Sequence, residues 1–168
     1  SVEEALAIER ALLMPARERA DYVIDTTMLT TSNLREKIAQ IFLHPSEKGM
    51  MIHCVSFGYK YGPPREADLM FDVRCLPNPF YHPDLRPLTG LDKPVADFVL
   101  EAPETMGFVQ RLDDMIDYTL PLYTNEGKSR LVIAIGCTGG KHRSVTLSER
   151  LSKRLKDKGY VVTVEHRD

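Results

Sequence analysis

Residues Cys137-Thr-Gly-Gly-Lys-His-Arg-Ser144 gather the chemistry of an anion site into one short stretch. Gly139 and Gly140 let the backbone come close to a ligand. Lys141, His142 and Arg143 bring charge-assisted donors. The apolar run 131–135 before them reads as a buried strand, and 145–158 after them reads as a helix. Amides at such a turn, and in the first helical turn, have no partner inside the helix, and the helix dipole adds partial positive charge. Cations placed there are unfavourable with the dipole unless an anion arrives, which speaks against a merely solvated turn. The first reading of 137–144, with Thr138 and Ser144 included, is a phosphate cradle.

The same residues allow a second chemistry. Cys137 and Arg143 stand in a Cys-x5-Arg spacing followed by Ser144. In that arrangement a thiolate at a helix N-terminus attacks phosphorus while the amides and the Arg hold the oxygens, as in cysteine-dependent phosphatases. Those enzymes usually carry a His before the Cys, where this chain has Gly136. They also need a general acid, and the sequence does not choose among Asp72, Asp84 and Asp92. Binding and catalysis both stay open at this point.

The elements that must hold this turn fit in 168 residues, enough for one ordinary domain or one domain plus a fragment. An apolar share of 43% supplies a core. A net charge of −2 gives no global pull toward nucleic acid or membrane, so anion binding must come from local clusters. No apolar run is long enough to cross a bilayer, and Glu3, Glu4, Glu9 and Arg10 exclude a signal peptide at the start. Cys54, Cys75 and Cys137 are an odd count without a close pair, which points to a reducing cytoplasm rather than a disulfide framework. Cys54 and Cys75 read as small apolar core residues. No His, Cys, Asp or Glu cluster has metal spacing, so neither metal nor cofactor is expected in this fragment.

Along the chain, 2–13 has helical spacing that Pro15 should stop, and 21–25 reads as a short strand. Thr31 or Ser32 could cap a helix through Phe42. Residues 45–49 have linker chemistry, which divides a remnant at 1–44 from a complete unit at 50–168. In that unit 50–57 and 69–74 read as strands, and the proline-dense segment 77–94 as a functional loop. Residues 105–119 read as a core-facing helix carrying Met106, Val109, Leu112, Met115, Ile116 and Thr119. Strand 131–136, helix 144–158 and strand 160–165 read as a βαβ unit with a parallel strand pair. The fold class is therefore α/β: three layers, a mainly parallel sheet and helices on both faces, preceded by a helix–strand–helix remnant of a second domain.

Five motifs in order resemble the RapZ/YvcJ family: residues 56–62, 71–74, 76–79, 85–94 and 134–144. Residues 1–44 resemble the end of that family's kinase-like, P-loop nucleotide-binding domain. Gly-x4-Gly-Lys-Ser/Thr occurs nowhere here, so ATP or GTP with Mg²⁺ is expected only for the full-length protein, which in this family binds and hydrolyses NTP. The resemblance implies a C-terminal domain like a phosphofructokinase subdomain that senses glucosamine-6-phosphate and drives homo-oligomerisation. It implies partners as well: a phosphorylated small molecule, and a small regulatory RNA or a regulatory protein in an RNase-adapter role. By motif match Lys60, Asp72, Cys137, Thr138, Gly139, His142 and Arg143 fall at the sugar-phosphate pocket, and Asp72 would accept from an amine. Two departures stand out. Phe80 replaces a His, with His82 two residues on, and the chain ends Glu165-His-Arg-Asp168 without a basic tail.

Arg65, Arg74, Arg86 and Lys93 could extend the anion surface, and the matched motifs single out Arg74 and Arg86. Asp92 reads as a helix N-cap. Tyr59 and Tyr61 around Lys60 could stack a base or a sugar, or simply pack their loop. Lys153, Arg154, Lys156 and Lys158 read as a solvated helix end, and His53 and His166 as structural.

Overall fold

The computed structural model describes residues 2–20, 22–27, 29–31, 33–34, 37–38 and 49–168. The chain divides into two units, Ser1–Leu43 and His44–Asp168. In the first, helix α1 spans Val2–Arg19 and runs through Pro15 instead of stopping before it. Good helix formers flank the proline, and Glu3, Glu4, Arg17 and Arg19 complement the dipole at the two ends. Residues 22–25 form no strand. Asp25 closes a turn instead, its carboxylate accepting from the amide and hydroxyl of Thr27 at 2.9 and 2.6 Å. The next helical residues are capped by the Thr30 hydroxyl, which accepts from Asn33 N–H at 3.2 Å. Ser32, the remainder of that helix to Phe42, and linker residues 45–48 lie outside the described residues.

The second unit is built on four parallel strands: β1 (Met51–Gly58), β2 (Leu69–Asp72), β3 (Arg130–Cys137) and β4 (Val161–His166). Their order is β2-β3-β1-β4. Helices α2 (Lys93–Leu100) and α3 (Pro103–Asn125) lie between β2 and β3 in sequence, and α4 (Arg143–Asp157) follows β3. The α/β class is as expected, and the middle of the sheet is buried on both faces. Ile52, Cys54, Leu131, Ile133 and Ile135 form one cluster with Leu112, Ile116 and Leu120 of α3 and with Leu147, Leu151 and Leu155 of α4. The alternate residues Val55, Phe57, Val132 and Ala134 are buried too. That is why β1 and β3 read as continuous apolar runs. Each fully buried Leu of α4 contributes about 1.5–3 kcal/mol.

Three local expectations change. The strands of the βαβ unit are parallel but not neighbours, because β1 lies between β3 and β4. A helix about 10 Å across covers two strand spacings of about 4.8 Å, so α4 packs over β1 while joining its neighbours. Met106 and Met115 of α3 face outward, and the helix turns Leu112, Ile116 and Leu120 to the core. Cys75 is exposed on the loop after β2, whereas Cys54 is buried. His53 and His166 are structural, as expected. His53 bridges Thr163 and Glu165 at 2.7 and 3.1 Å, and His166 bridges Ser56 and Glu149 at 2.8 and 3.1 Å. Asp92 does occupy the N-cap position of α2, but its carboxylate turns back to the Thr89 amide and hydroxyl at 2.7 and 2.9 Å.

Candidate functional site

The parallel register brings the carboxyl ends of three strands to one edge. Gly58 lies beside Cys137, and Asp72 beside Gly136. Ligands of α/β sheets bind beyond such an edge. Here the loop from β3 to α4 forms one wall of a cavity of about 710 Å³. Cys137, Thr138, Gly139, Lys141, His142 and Arg143 line that wall, and Asn78, Phe80, Tyr81, Arg86 and Pro87 line the other.

The two walls are fastened together. Gly90 N–H donates to the Lys141 carbonyl at 2.9 Å, the Thr146 hydroxyl donates to the Gly90 carbonyl at 3.1 Å, and Lys141 Nζ donates to the Pro87 carbonyl at 2.7 Å. The proline-dense segment is therefore part of the site. The Asn78 side chain caps its short 3-10 turn by accepting from Phe80 N–H at 3.3 Å, and the Arg86 guanidinium lies 4.4 Å from the centre of the Phe80 ring. Prolines and a long loop marked this segment in the sequence as functional. Asn78 and Pro87 fall in the matched motifs 76–79 and 85–94, whereas Tyr81 carried no signal of its own.

The two glycines of the cradle act differently. Gly140 has φ +77°, and a Cβ there would sit 2.8 Å from Asp168 Cβ and 2.9 Å from Gly58 N. It is a fold glycine. Asp168 braces that corner, accepting from Gly58 N–H at 2.7 Å. Gly139 lies outside the left-handed region, and a Cβ on it would meet no atom within 4 Å. Neither backbone conformation nor crowding asks for glycine there, and the residue faces the cavity.

Charge is distributed just as unevenly. Among the described residues, every charged side chain lining the cavity is a potential cation, and no carboxylate lines it. Arg143 is 3% exposed and donates to the carbonyls of Arg74 and Leu76 at 2.8 and 2.9 Å. Among the described residues it forms no ion pair. A buried guanidinium held only by neutral acceptors favours the arrival of an anion. Two buried ring and guanidinium nitrogens, His142 Nε2 and Arg143 Nε, have no hydrogen-bond partner among the described residues. Burial, followed by the neighbouring Lys141 charge, holds the His142 pKa below its ordinary value, against the opposing carbonyls of Leu88 and Arg86. Burial pushes the Cys137 thiol up, but the Ser144 hydroxyl at 3.2 Å and the amides of Ser144, Gly140 and His142 outweigh it, and the net shift is downward.

Not all the residues expected at the pocket line it. Gly140 and Ser144 sit behind the surface, supporting the turn and the sulfur. Lys60, Asp72 and Arg74 lie at the same strand edge but off the cavity lining. Lys60 N–H donates to the Thr138 carbonyl at 3.1 Å, and its ammonium lies 5.4 Å from the Tyr61 ring centre. Asp72 is gripped by Arg74, with contacts of 2.6–3.0 Å, and Arg74 stacks 4.1 Å from the Tyr59 ring centre. The Arg74 hydrogen bond is the main reason the Asp72 carboxyl titrates below its ordinary range. Of the outlying candidates, Arg65 is exposed, and Lys93 pairs with Asp97 of its own helix. His82, near the Phe80 departure, packs edge-on against Phe98 at 4.5 Å.

Residues 50–168 match the family model of the RapZ C-terminal domain. The chain belongs to the RapZ family. Nucleotide-binding proteins of Bacillus thuringiensis (strain Al Hakam), Bacillus anthracis (strain A0248) and Bacillus cytotoxicus are each 53% identical to it over 165 residues. That alignment covers 98% of this chain and 56% of each relative, so the chain spans about half the length of the curated relatives it matches. In this RapZ-family domain no helix among the described residues is long and apolar enough to cross a membrane. Among the same residues no three His, Cys, Asp or Glu side chains are grouped to hold a metal ion.

Proposed function

We propose that residues 50–168 form a ligand-sensing domain whose cavity binds a phosphorylated sugar, with glucosamine-6-phosphate as the leading chemistry. One observation carries the reading: among the described residues the charged side chains of the cavity are all cationic, and the buried one, Arg143, forms no ion pair. A phosphate supplies the missing charge and an acceptor for the loop amides. The opposite wall, with Asn78 and Tyr81, offers polar groups to sugar hydroxyls and one face to the ring. In the full-length protein the preceding domain, of which residues 1–44 are the end, binds and hydrolyses ATP or GTP with Mg²⁺. The ligand state is passed to a small regulatory RNA or a regulatory protein, in a cytoplasmic homo-oligomer.

Calorimetry with glucosamine-6-phosphate, glucose-6-phosphate and inorganic phosphate tests the reading. Binding of all three is expected, tightest for the amino sugar, and no binding of any overturns the sensor. Asp72→Ala then assigns the amine. A selective loss for glucosamine-6-phosphate gives Asp72 that role, which requires it to leave Arg74, and equal losses remove it.

The depressed Cys137 thiol favours a second reading, a cysteine-dependent phosphatase. Its geometry lacks an acid, because no carboxyl group lines the cavity to protonate a leaving group. Cys137→Ser discriminates the two. Phosphatase turnover by the unaltered chain that disappears in the variant supports the enzyme, whereas retained sugar-phosphate binding without turnover in either supports the sensor.

A further inference from the structure

The three thiols of this chain differ in a way that anion binding does not use. Cys75 is the exposed one. Cys54 is fully buried, and burial pushes its thiol up to about 12, so it stays protonated and inert. Cys137 is only 3% exposed, yet it lines the cavity, with the Ser144 oxygen 3.2 Å from its sulfur. The amides of Gly140, His142 and Ser144 also favour its thiolate. Around it stand Arg143 and His142, each more than nine-tenths buried and each with a side-chain nitrogen lacking a partner. A cysteine sulfur inside a cation-lined cavity, ionising more readily than a free thiol, is open to a small neutral oxidant while burial shields it from larger reagents.

We propose that Cys137 is a peroxide-modifiable thiol, oxidised to the sulfenic acid when the cavity is empty and shielded when an anion fills it. The shielding rests on the anion reading above; the modification does not. In the step, the Cys137 thiolate attacks one oxygen of hydrogen peroxide. The S–O bond forms, the O–O bond breaks, and hydroxide leaves and is protonated to water. The sulfur is oxidised by two electrons and the peroxide is reduced by two. The new hydroxyl sits on the sulfur in the wall of the cradle and occupies space that the anion would take. Oxidation therefore lowers anion affinity, and a dithiol restores it: the dithiol is oxidised by two electrons to its disulfide, the Cys137 sulfur returns to the thiol, and the oxygen leaves as water. The cavity becomes a switch read by both peroxide and ligand.

Exposure alone ranks Cys75 first, and this proposal ranks Cys137 first. The full chain is treated with hydrogen peroxide in the presence of dimedone, and adducts are located by peptide mass spectrometry, with Cys75→Ser repeated to remove competition. Adduct at Cys137 is expected to form at least about tenfold faster than at Cys75 and to be absent at Cys54. Ser144→Ala, which removes the hydroxyl beside the sulfur, should slow it. Saturating inorganic phosphate should suppress it. Adduct at Cys75 in preference to Cys137, or none at Cys137, overturns the modification site. Adduct at Cys137 that saturating phosphate leaves unchanged, in a protein that calorimetry shows to bind phosphate, overturns the shielding. A protein that binds no phosphate but still labels at Cys137 sinks the anion reading and the shielding with it, while the modification site stands.

Discussion

At the start of α4, Arg143 is buried against the carbonyls of Arg74 and Leu76 and forms no ion pair among the described residues. Further along the same helix and just past its end, Arg150, Arg154 and Lys158 all grip carboxylates of α3. Arg150 meets Asp113 at 2.5 and 2.6 Å, Arg154 meets Asp117 at 2.5 and 3.0 Å, and Lys158 meets Asp117 at 2.7 Å. The second group fixes one helix to another, and its charge is spent within the protein. The first has its charge turned toward a cavity without acidic groups. The presence or absence of a carboxylate partner thus separates two kinds of cation on a single helix, where density of basic residues does not.

The largest expected effects come from removing one member of each group. Arg143→Ala should weaken phosphate and glucosamine-6-phosphate binding alike, by on the order of 1.5–3 kcal/mol, or roughly 10- to 150-fold. Asp113→Ala should leave phosphate affinity unchanged and lower unfolding stability by about 1.5–3 kcal/mol, since Asp113 is buried and bonded to two guanidiniums. Calorimetry and urea unfolding on both variants separate the two. If Asp113→Ala cost as much anion affinity as Arg143→Ala, the division would break down.

Gly139→Ala sharpens the same contrast at the backbone. The added methyl meets nothing in the protein but stands where a phosphate would approach. The expected loss of anion affinity is about 1 kcal/mol, the worth of one ordinary hydrogen bond, with stability changed by less than about 0.5 kcal/mol. A variant that bound phosphate as tightly as the parent would show that no anion comes close to Gly139.

The smallest effect concerns pH at the paired end. The Arg154 hydrogen bond, together with Lys158 and against burial, holds the Asp117 carboxyl down at about 2. A carboxyl depressed by folding stabilises the fold above its unfolded pKa, near 4, and that contribution is lost as pH falls through about 2. Asp117→Asn should therefore lower stability at neutral pH and converge with the parent near pH 2. The Asp117 side chain is 38% exposed, so the change is small. Curves that stay parallel over that range would contradict the pairing.

The sequence alone determined the strand–turn–helix from 130 to 157 and the placing of its glycines and cations at the turn, because every ingredient is local. An apolar run, two glycines, three cations and a Leu-spaced helix lie within one stretch, where propensity and periodicity decide structure. It also carried the family resemblance that residues 50–168 bear out. What it left undecided depends on partners far along the chain. Arg143 and Arg154 look alike in sequence, and only the packing of α3 places Asp113 and Asp117 beside one and not the other. Asp72 is the exception: it read as a free acceptor, yet its partner Arg74 stands only two residues on, in the turn after β2. Cys75 and the outward methionines Met106 and Met115 have core-like side chains, but their orientation follows from where the sheet lies. Burial and charge pairing are properties of the space between elements, and that space exists only once β1 has inserted between β3 and β4.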